Sequence, residues 1–295
     1  MKIRGALKEF SKYASLNVMG MIGLSCYILA DTFFVSKGLG ANGLAALNLA
    51  IPIYSFIHGS GLMVGMGGGI KYSVLRSRGG SGTVFTNAIY LAAVLAAVFV
   101  LIGLFFTEGI LTLFGAEGTV LNMSVTYLRV LLLFAPAFIA NNLILCFVRN
   151  DGAPQLSMAA MITGSLSNVV LDWVFIFPCG MGMFGAAFAT GLAPIISMAI
   201  LSVHFIKKRN GFRIVKTAPE PRLCVGILSG GVPSLVTEVS SGIVIIVFNA
   251  IIMGLEGNIG VAAYGVIANI SLVVIAVYTG IAQGIQPILS RSCGE

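Results

Sequence analysis

Eight stretches of this chain, roughly 13–37, 43–70, 84–106, 122–147, 156–178, 183–206, 224–254 and 259–290, are apolar and carry almost no charge. Each exceeds or approaches the 20 or so apolar residues that an α-helix needs to cross a bilayer. The runs are too long and too continuously apolar for the alternating ten-residue strands of a membrane barrel. Charged residues make up only 9% of the chain and the mean hydropathy is +1.02. A water-soluble domain carries about a quarter charged residues, so a soluble fold is excluded. The expected class is an all-α, polytopic membrane helix bundle.

The connecting segments alternate in basic content. Lys2, Arg4, Lys8 and Lys12 precede the first helix, and Lys71, Arg76 and Arg78 lie in the second loop. Arg149 lies in the fourth, Lys207, Lys208, Arg209, Arg213, Lys216 and Arg222 in the sixth, and Arg291 follows the last helix. The other loops offer Lys37 against Glu108, Glu117 and Glu256. The positive-inside rule then puts both ends on the cytoplasmic side of a plasma (inner) membrane. Basic loops facing an anionic leaflet explain the net charge of +7 without any nucleic-acid partner. The basic N-terminus lacks a small-residue cleavage site after a short apolar core, so the first segment reads as a retained helix.

The longest polar stretch, 207–223, contains Pro219 and Pro221 and divides a six-helix lobe (1–206) from the first two helices of a second lobe (224–295). GLAALNLAIPI at 43–53 lies over GVAAYGVIANI at 260–270, and in that register Gly67 meets Gly284 and Ser73 meets Ser290. Two related halves, the second cut short, is the simplest account, since parallel repeats are common in transporters.

Three acids, Asp31, Asp172 and Glu238, sit inside the apolar stretches, with Arg129 as the one basic residue there. Each ionised acid costs about 2.5–3.5 kcal/mol at the bilayer centre, so protons, a cation or water must compensate. Asp31 and Asp172 each lie a few residues before the outward end of their helix, and Tyr127 and Thr190 a similar distance into inward-running helices. At 1.5 Å per residue all four share one level in the outer half of the bilayer. Asn168 stands one turn before Asp172 on the same face. Pro194 has no N–H to offer the Thr190 carbonyl. A freed carbonyl, a hydroxyl, an amide oxygen and two carboxylates make an oxygen-rich nest for Na⁺ or a proton. The bland alternatives are a water-facing acid at a helix end and polar glue between helices.

Glu238 is either a second-half ion site or part of a watery cavity wall. His58 is a packed, hydrogen-bonded residue or a proton relay. Arg129 reads as a snorkelling charge. The glycine run Gly65, Gly67, Gly68, Gly69 lies inside an apolar helix with no strand before it, which argues for close helix packing and against a nucleotide loop. Five scattered cysteines without CxxC spacing argue against a disulfide framework or zinc site, and no cofactor is implied.

Several segments resemble the MATE (multidrug and toxic compound extrusion) exporters, in particular the MepA-like branch. They are ADTFFVSKGLGANGLAALNLAIPIY at 30–54, GLMVGMGGGIKYS at 61–73, TYLRV at 126–130, RNDGAP at 149–154, SNVVLDWVFI at 167–176, GGVPSLVTEVSSGIVIIVFN at 230–249 and AQGIQPILS at 282–290. The resemblance implies no enzyme. It implies a V-shaped fold of two six-helix lobes that exports cationic amphiphilic drugs or toxic organic cations in exchange for H⁺ or Na⁺, as a monomer in the lipid bilayer. It also implies an N-lobe ion site at Asp31, Asn168, Asp172 and Thr190, with Tyr127 nearby. Family members have about twelve helices, so four C-lobe helices are missing here. Some members carry a first-helix proline proposed to bend on protonation, whereas no proline precedes Pro52, leaving Gly20 and Gly23 as soft points. The competing readings are a lipid-linked saccharide flippase or polysaccharide exporter, an intramembrane aspartyl protease lacking the expected GxGD, and a non-functional remnant.

Overall fold

The computed structural model describes residues 2–76, 81–208 and 210–294. The side chains of 2–7, 245–246, 249–250, 253–254, 256–266, 268–269 and 293–294 lie outside that description. Arg78 and Arg209, and the side chains of Lys2, Arg4, Glu256 and Cys293, are therefore outside it too. The helices are α1 (Lys2–Leu75), α2 (Ser81–Phe105), α3 (Thr107–Leu113), α4 (Gly118–Leu133), α5 (Ala135–Asn150), α6 (Pro154–Ile176), α7 (Gly182–Ile206) and α8 (Pro221–Gly294).

α1 covers the first two expected segments and doubles back at one residue. Gly40 has φ 70° and ψ −161°, a conformation open essentially to glycine alone. The two limbs, 2–39 and 41–75, then pack side by side, and the Tyr27 and Tyr54 hydroxyls meet at 3.0 Å. α8 likewise carries two limbs long and apolar enough to span, Pro221–Val244 and Ile270–Ser292. Gly67 lies against the Ile227 carbonyl, and Gly284 against Tyr13 and Ala14. Each α8 limb thus pairs with one limb of α1. The repeat register carries the Gly67–Gly231 approach onto Gly284–Ala14, so the faint sequence repeat has a counterpart in packing. Ser73 and Ser290, equivalent in that register, close on one amide pair. Ser73 donates to Asn150 Oδ1 at 2.8 Å, and Gln286 reaches both Asn150 Oδ1 and Ser290 Oγ at 3.1 Å.

The fourth expected segment is not one straight helix. α4 and α5 meet at Phe134 with a bend of 47°. Pro136 cannot donate to the Leu132 carbonyl, which frees the backbone to turn there. Between α2 and α4 the chain also forms the short α3, where a loop was expected.

The core is apolar, with one cluster around Leu128, Leu131 and Leu132 and another around Phe85, Phe147 and Phe212. Each glycine of the run faces its own partners: Gly65 meets Asn142 and Cys146, Gly67 meets α8, Gly68 meets Phe147, and Gly69 meets Asn150. The segment between α7 and α8 is laid along the start of α2. Ser81 donates to the Gly211 carbonyl at 3.2 Å, Tyr90 to the Thr217 carbonyl at 3.0 Å, and the Glu220 N–H to Asn87 Oδ1 at 2.8 Å. Val215 N–H adds a bond to Thr86 Oγ1 at 3.0 Å.

Candidate functional site

Asp31 on the first limb of α1 and Asp172 on α6 are both buried, at 6% and 0% exposure. The Asp31 carboxyl lies beside both the Asp172 carboxyl and the Tyr127 hydroxyl of α4. Tyr127 in turn reaches Thr190 of α7. Asn168 is fully buried one turn before Asp172. With its amide turned so that both atoms are satisfied, Asn168 donates to Asp172 Oδ2 at 3.1 Å and accepts from the Thr190 N–H at 3.2 Å. Five side chains from four helices therefore meet at one place, the set that shared depth had singled out.

Local sequence explains how they are held. Each of the four helices places its residue within roughly three turns of the end opposite the basic loops. Gly20 and Gly23 let α1 lie close to Met161 and Ile162 of α6. Gly164 does the same for α6 against Ala193 and Ser197 of α7. Pro194 sits inside α7 and leaves the Thr190 carbonyl without its helical partner.

Electrostatics make this arrangement incomplete. Oδ1 of Asp31 and Oδ1 of Asp172 are buried with no hydrogen-bond partner. Two adjacent carboxyls in a low-dielectric interior cannot both stay ionised without a positive charge between or beside them. No Lys, Arg or His pairs with either among the described residues. Nor do three or more His, Cys, Asp or Glu side chains gather as a metal group there. The donor set that does exist is carboxylate, amide, hydroxyl and carbonyl oxygen, which suits a hard monovalent cation or a proton.

A small cavity of about 80 Å³ opens beside this cluster, with Tyr27, Tyr54, His58, Asn142, Thr190 and Pro194 among its walls. On its far side His58 Nδ1 lies 3.4 Å from Glu238 Oε2 on α8, and the His58 ring stacks on Tyr54. Glu238, expected as a second-half ion site or as part of a watery cavity wall, is paired with a histidine of α1. Arg129 is exposed on α4, as a snorkelling charge would be.

Arg149 departs from expectation. Its place at the end of α5 suggested a loop charge, but it is only 2% exposed and lines the cavity. It donates to Asn17 Oδ1 at 2.8 Å, Gln283 Oε1 at 3.1 Å and Met66 Sδ at 3.1 Å, all neutral groups. The membrane-buried part therefore holds a second arginine besides Arg129. Asn142, Cys146 and Arg149 recur at helical spacing along α5, the one sequence signal that this face turns inward. Asp151, two residues on, is likewise buried. It takes hydrogen bonds from Tyr72 at 2.6 Å and the Gly211 N–H at 2.7 Å, and pairs with Arg76 at 3.0 Å and His204 at 2.8 Å.

A sequence model of the MatE family matches residues 18–174. Over 269 residues the chain is 27% identical to the multidrug export protein MepA of Staphylococcus saprophyticus, covering 90% of this chain and 59% of the relative. Among solved structures, the outward-facing conformation of a multidrug resistance MATE family transporter of the MOP superfamily aligns with a TM-score of 0.89. That match has 27% identity and covers 97% of this chain and 65% of the other. A crystal structure of MATE in complex with MaD3S gives a TM-score of 0.89 at 26% identity, over 97% of this chain and 66% of that one. The chain thus spans 59% of the length of the curated relatives it matches. The family model runs from the first limb of α1 to the turn of α6 that carries Asp172, and this multi-pass membrane chain belongs to the MatE family, which comprises transporters and not enzymes.

Proposed function

We propose that this chain supplies the ion-coupling lobe of a secondary exporter that moves cationic amphiphilic compounds outward in exchange for H⁺ or Na⁺. Residues 1–206 form that lobe, 207–223 the linker, and 224–295 the beginning of the second. The basic loops lie in the cytoplasm. The observation that carries the reading is the meeting of Asp31 and Asp172, two buried carboxyls with no cationic side chain to neutralise them. The coupling ion takes the place of that side chain, and Asn168, Thr190 and Tyr127 complete its surroundings.

Binding of the ion draws α1 and α6 together, and its loss lets them separate, so the site is coupled to helix packing. Glu238, paired with His58, provides a second negative charge that a drug cation meets on the α8 side of the cavity. The cavity itself, about 80 Å³, is far below the roughly 300–1,000 Å³ that drug-sized ligands occupy. A drug therefore enters only when α8 and the first seven helices part, which is the movement alternating access requires. A flippase for phosphate-linked saccharides would want several free guanidinium groups in this space. Arg149 is the single one among the cavity walls, and Asn17 and Gln283 already engage it.

The test is ion binding by the purified chain in detergent. Na⁺ added in weak buffer should release protons or bind with measurable heat, and Asp31→Asn and Asp172→Asn should each abolish the signal. Undiminished binding in both variants would remove the assignment. In the transporter extended by the helices its relatives carry, the same variants should stop pH- or Na⁺-driven efflux.

A further inference from the structure

α5 has two working faces. Phe138, Asn142 and Leu145 look into the central cavity, while Ile139, Ala140 and Leu143 line a separate groove on the opposite side. This groove, of about 600 Å³, runs between α2 and α5 and is closed at one end by the segment after α7. Its volume is that of a ligand pocket, yet its walls are almost entirely apolar. The polar residues among them, Asn210 and Arg213, both sit at the basic-loop end.

Length and position define what fits. The α2 stretch from Phe85 to Ala96 that walls the groove measures roughly 16 Å at 1.5 Å per residue. That is about half of the ~30 Å hydrocarbon thickness, the depth of one leaflet. Ala93 and Pro136 are exposed, so the groove opens sideways, away from the bundle. An open apolar groove at that depth excludes water and takes a hydrocarbon chain.

The rim is equally specific. Phe212 is fully buried among Phe85, Phe147 and Phe205, with ring centroids 4.6 to 5.4 Å away. That packing fixes the backbone of the next residue, Arg213, at the mouth. Lys207 and Lys208 follow the end of α7, two and three residues after Phe205, which lines the groove. All three cations are exposed, and the ion pairs among the described residues involve none of them.

We propose that this groove binds an anionic phospholipid from the leaflet on the basic-loop face, one acyl chain lying between α2 and α5 and the phosphate seated on Arg213. Lys207 and Lys208 add to the attraction. The site is separate from the ion cluster, so its occupancy does not depend on the transport reading.

Native mass spectrometry of the purified, delipidated chain measures this directly, with phosphatidylglycerol and phosphatidylcholine carrying identical oleoyl chains as probes. Phosphatidylglycerol should bind more tightly, and Arg213→Gln should cut its advantage by about fivefold, the weight of one basic residue near a lipid surface. Ala93→Phe combined with Ala140→Phe fills the groove from its open side and should lower occupancy by both lipids. Equal binding of the two lipids by the unaltered chain would overturn the headgroup assignment. Unchanged occupancy in the filled variant would overturn the groove. Arg213→Gln alters only an exposed side chain, so its result stands even if the filled variant folds poorly.

Discussion

Arg149 donates to Asn17 Oδ1 at 2.8 Å, joining the end of α5 to the first limb of α1. The same nitrogen reaches Gln283 on α8, so one guanidinium bridges three helices through neutral acceptors. Hydrogen bonds to a charged group contribute more than neutral ones, and a buried acceptor left unpaired costs about 1–3 kcal/mol. Arg149→Met should therefore lower stability by about 2–4 kcal/mol, seen as a fall in thermal midpoint in detergent. Cys146, 3.5 Å from the guanidinium and 1% exposed, should also become reactive to a water-soluble maleimide. Unchanged labelling would mean that Arg149 does not seal this end of the cavity.

Asp31 and Asp172 set up the opposite situation, in which a native pair opposes packing. Removing one carboxylate while keeping its shape relieves the like-charge contact. Asp172→Asn should match or exceed the parent in thermal midpoint without added ions, by about 1 kcal/mol. Added Na⁺ should raise the midpoint of the parent and leave that of the variant unmoved, since a ligand stabilises only the state that binds it. A midpoint that climbs with Na⁺ in both proteins would place the ion elsewhere.

Gly40 and Gly67 separate two ways in which glycine matters. At Gly40 the backbone conformation is at issue: Gly40→Ala should cost about 1–3 kcal/mol with nothing in its way sterically. At Gly67 a Cβ would run into the Ile227 carbonyl, backbone that cannot yield without moving α8. Gly67→Leu should therefore lower the thermal midpoint more than Gly40→Ala does. The reverse order would mean that α8 is held less tightly than its contacts with α1 imply.

His58 and Glu238 give a prediction across the cavity. His58→Leu leaves the partly buried Glu238 carboxylate without its partner, at a cost of about 1 kcal/mol. Combining it with Glu238→Gln should recover part of that loss. A double-variant cycle of thermal midpoints measures the coupling, and purely additive effects would show that the two side chains do not interact.

Much of this was legible because hydrocarbon leaves a chain few choices. An acid at membrane depth is costly enough that Asp31 and Asp172 stand out from a single sequence. Helical rise then puts Tyr127 and Thr190 at the same level, and i to i+4 spacing adds Asn168. What escaped depends on contacts between distant helices. Arg149 reads as a loop charge until Asn17 and Gln283 close over it, although the polar stripe from Asn142 to Arg149 hinted at an inward face. The pairing of His58 with Glu238 joins residues that no local pattern relates. The sharp return of α1 was expected to need a loop, and one glycine in an unusual conformation does the work of several residues. The bend at Phe134 follows from Pro136, but no local pattern gives its angle.

The segment joining α7 to α8 is stitched to Ser81, Thr86, Asn87 and Tyr90 of α2 at Gly211, Val215, Thr217 and Glu220. A tether fastened at so many points behaves as a hem and not as a leash. Any swing of α8 must drag the opening turns of α2 along or tear those stitches one by one. The resistance to that tearing, more than the reach of the connecting peptide, sets how far the two parts of the molecule can travel apart.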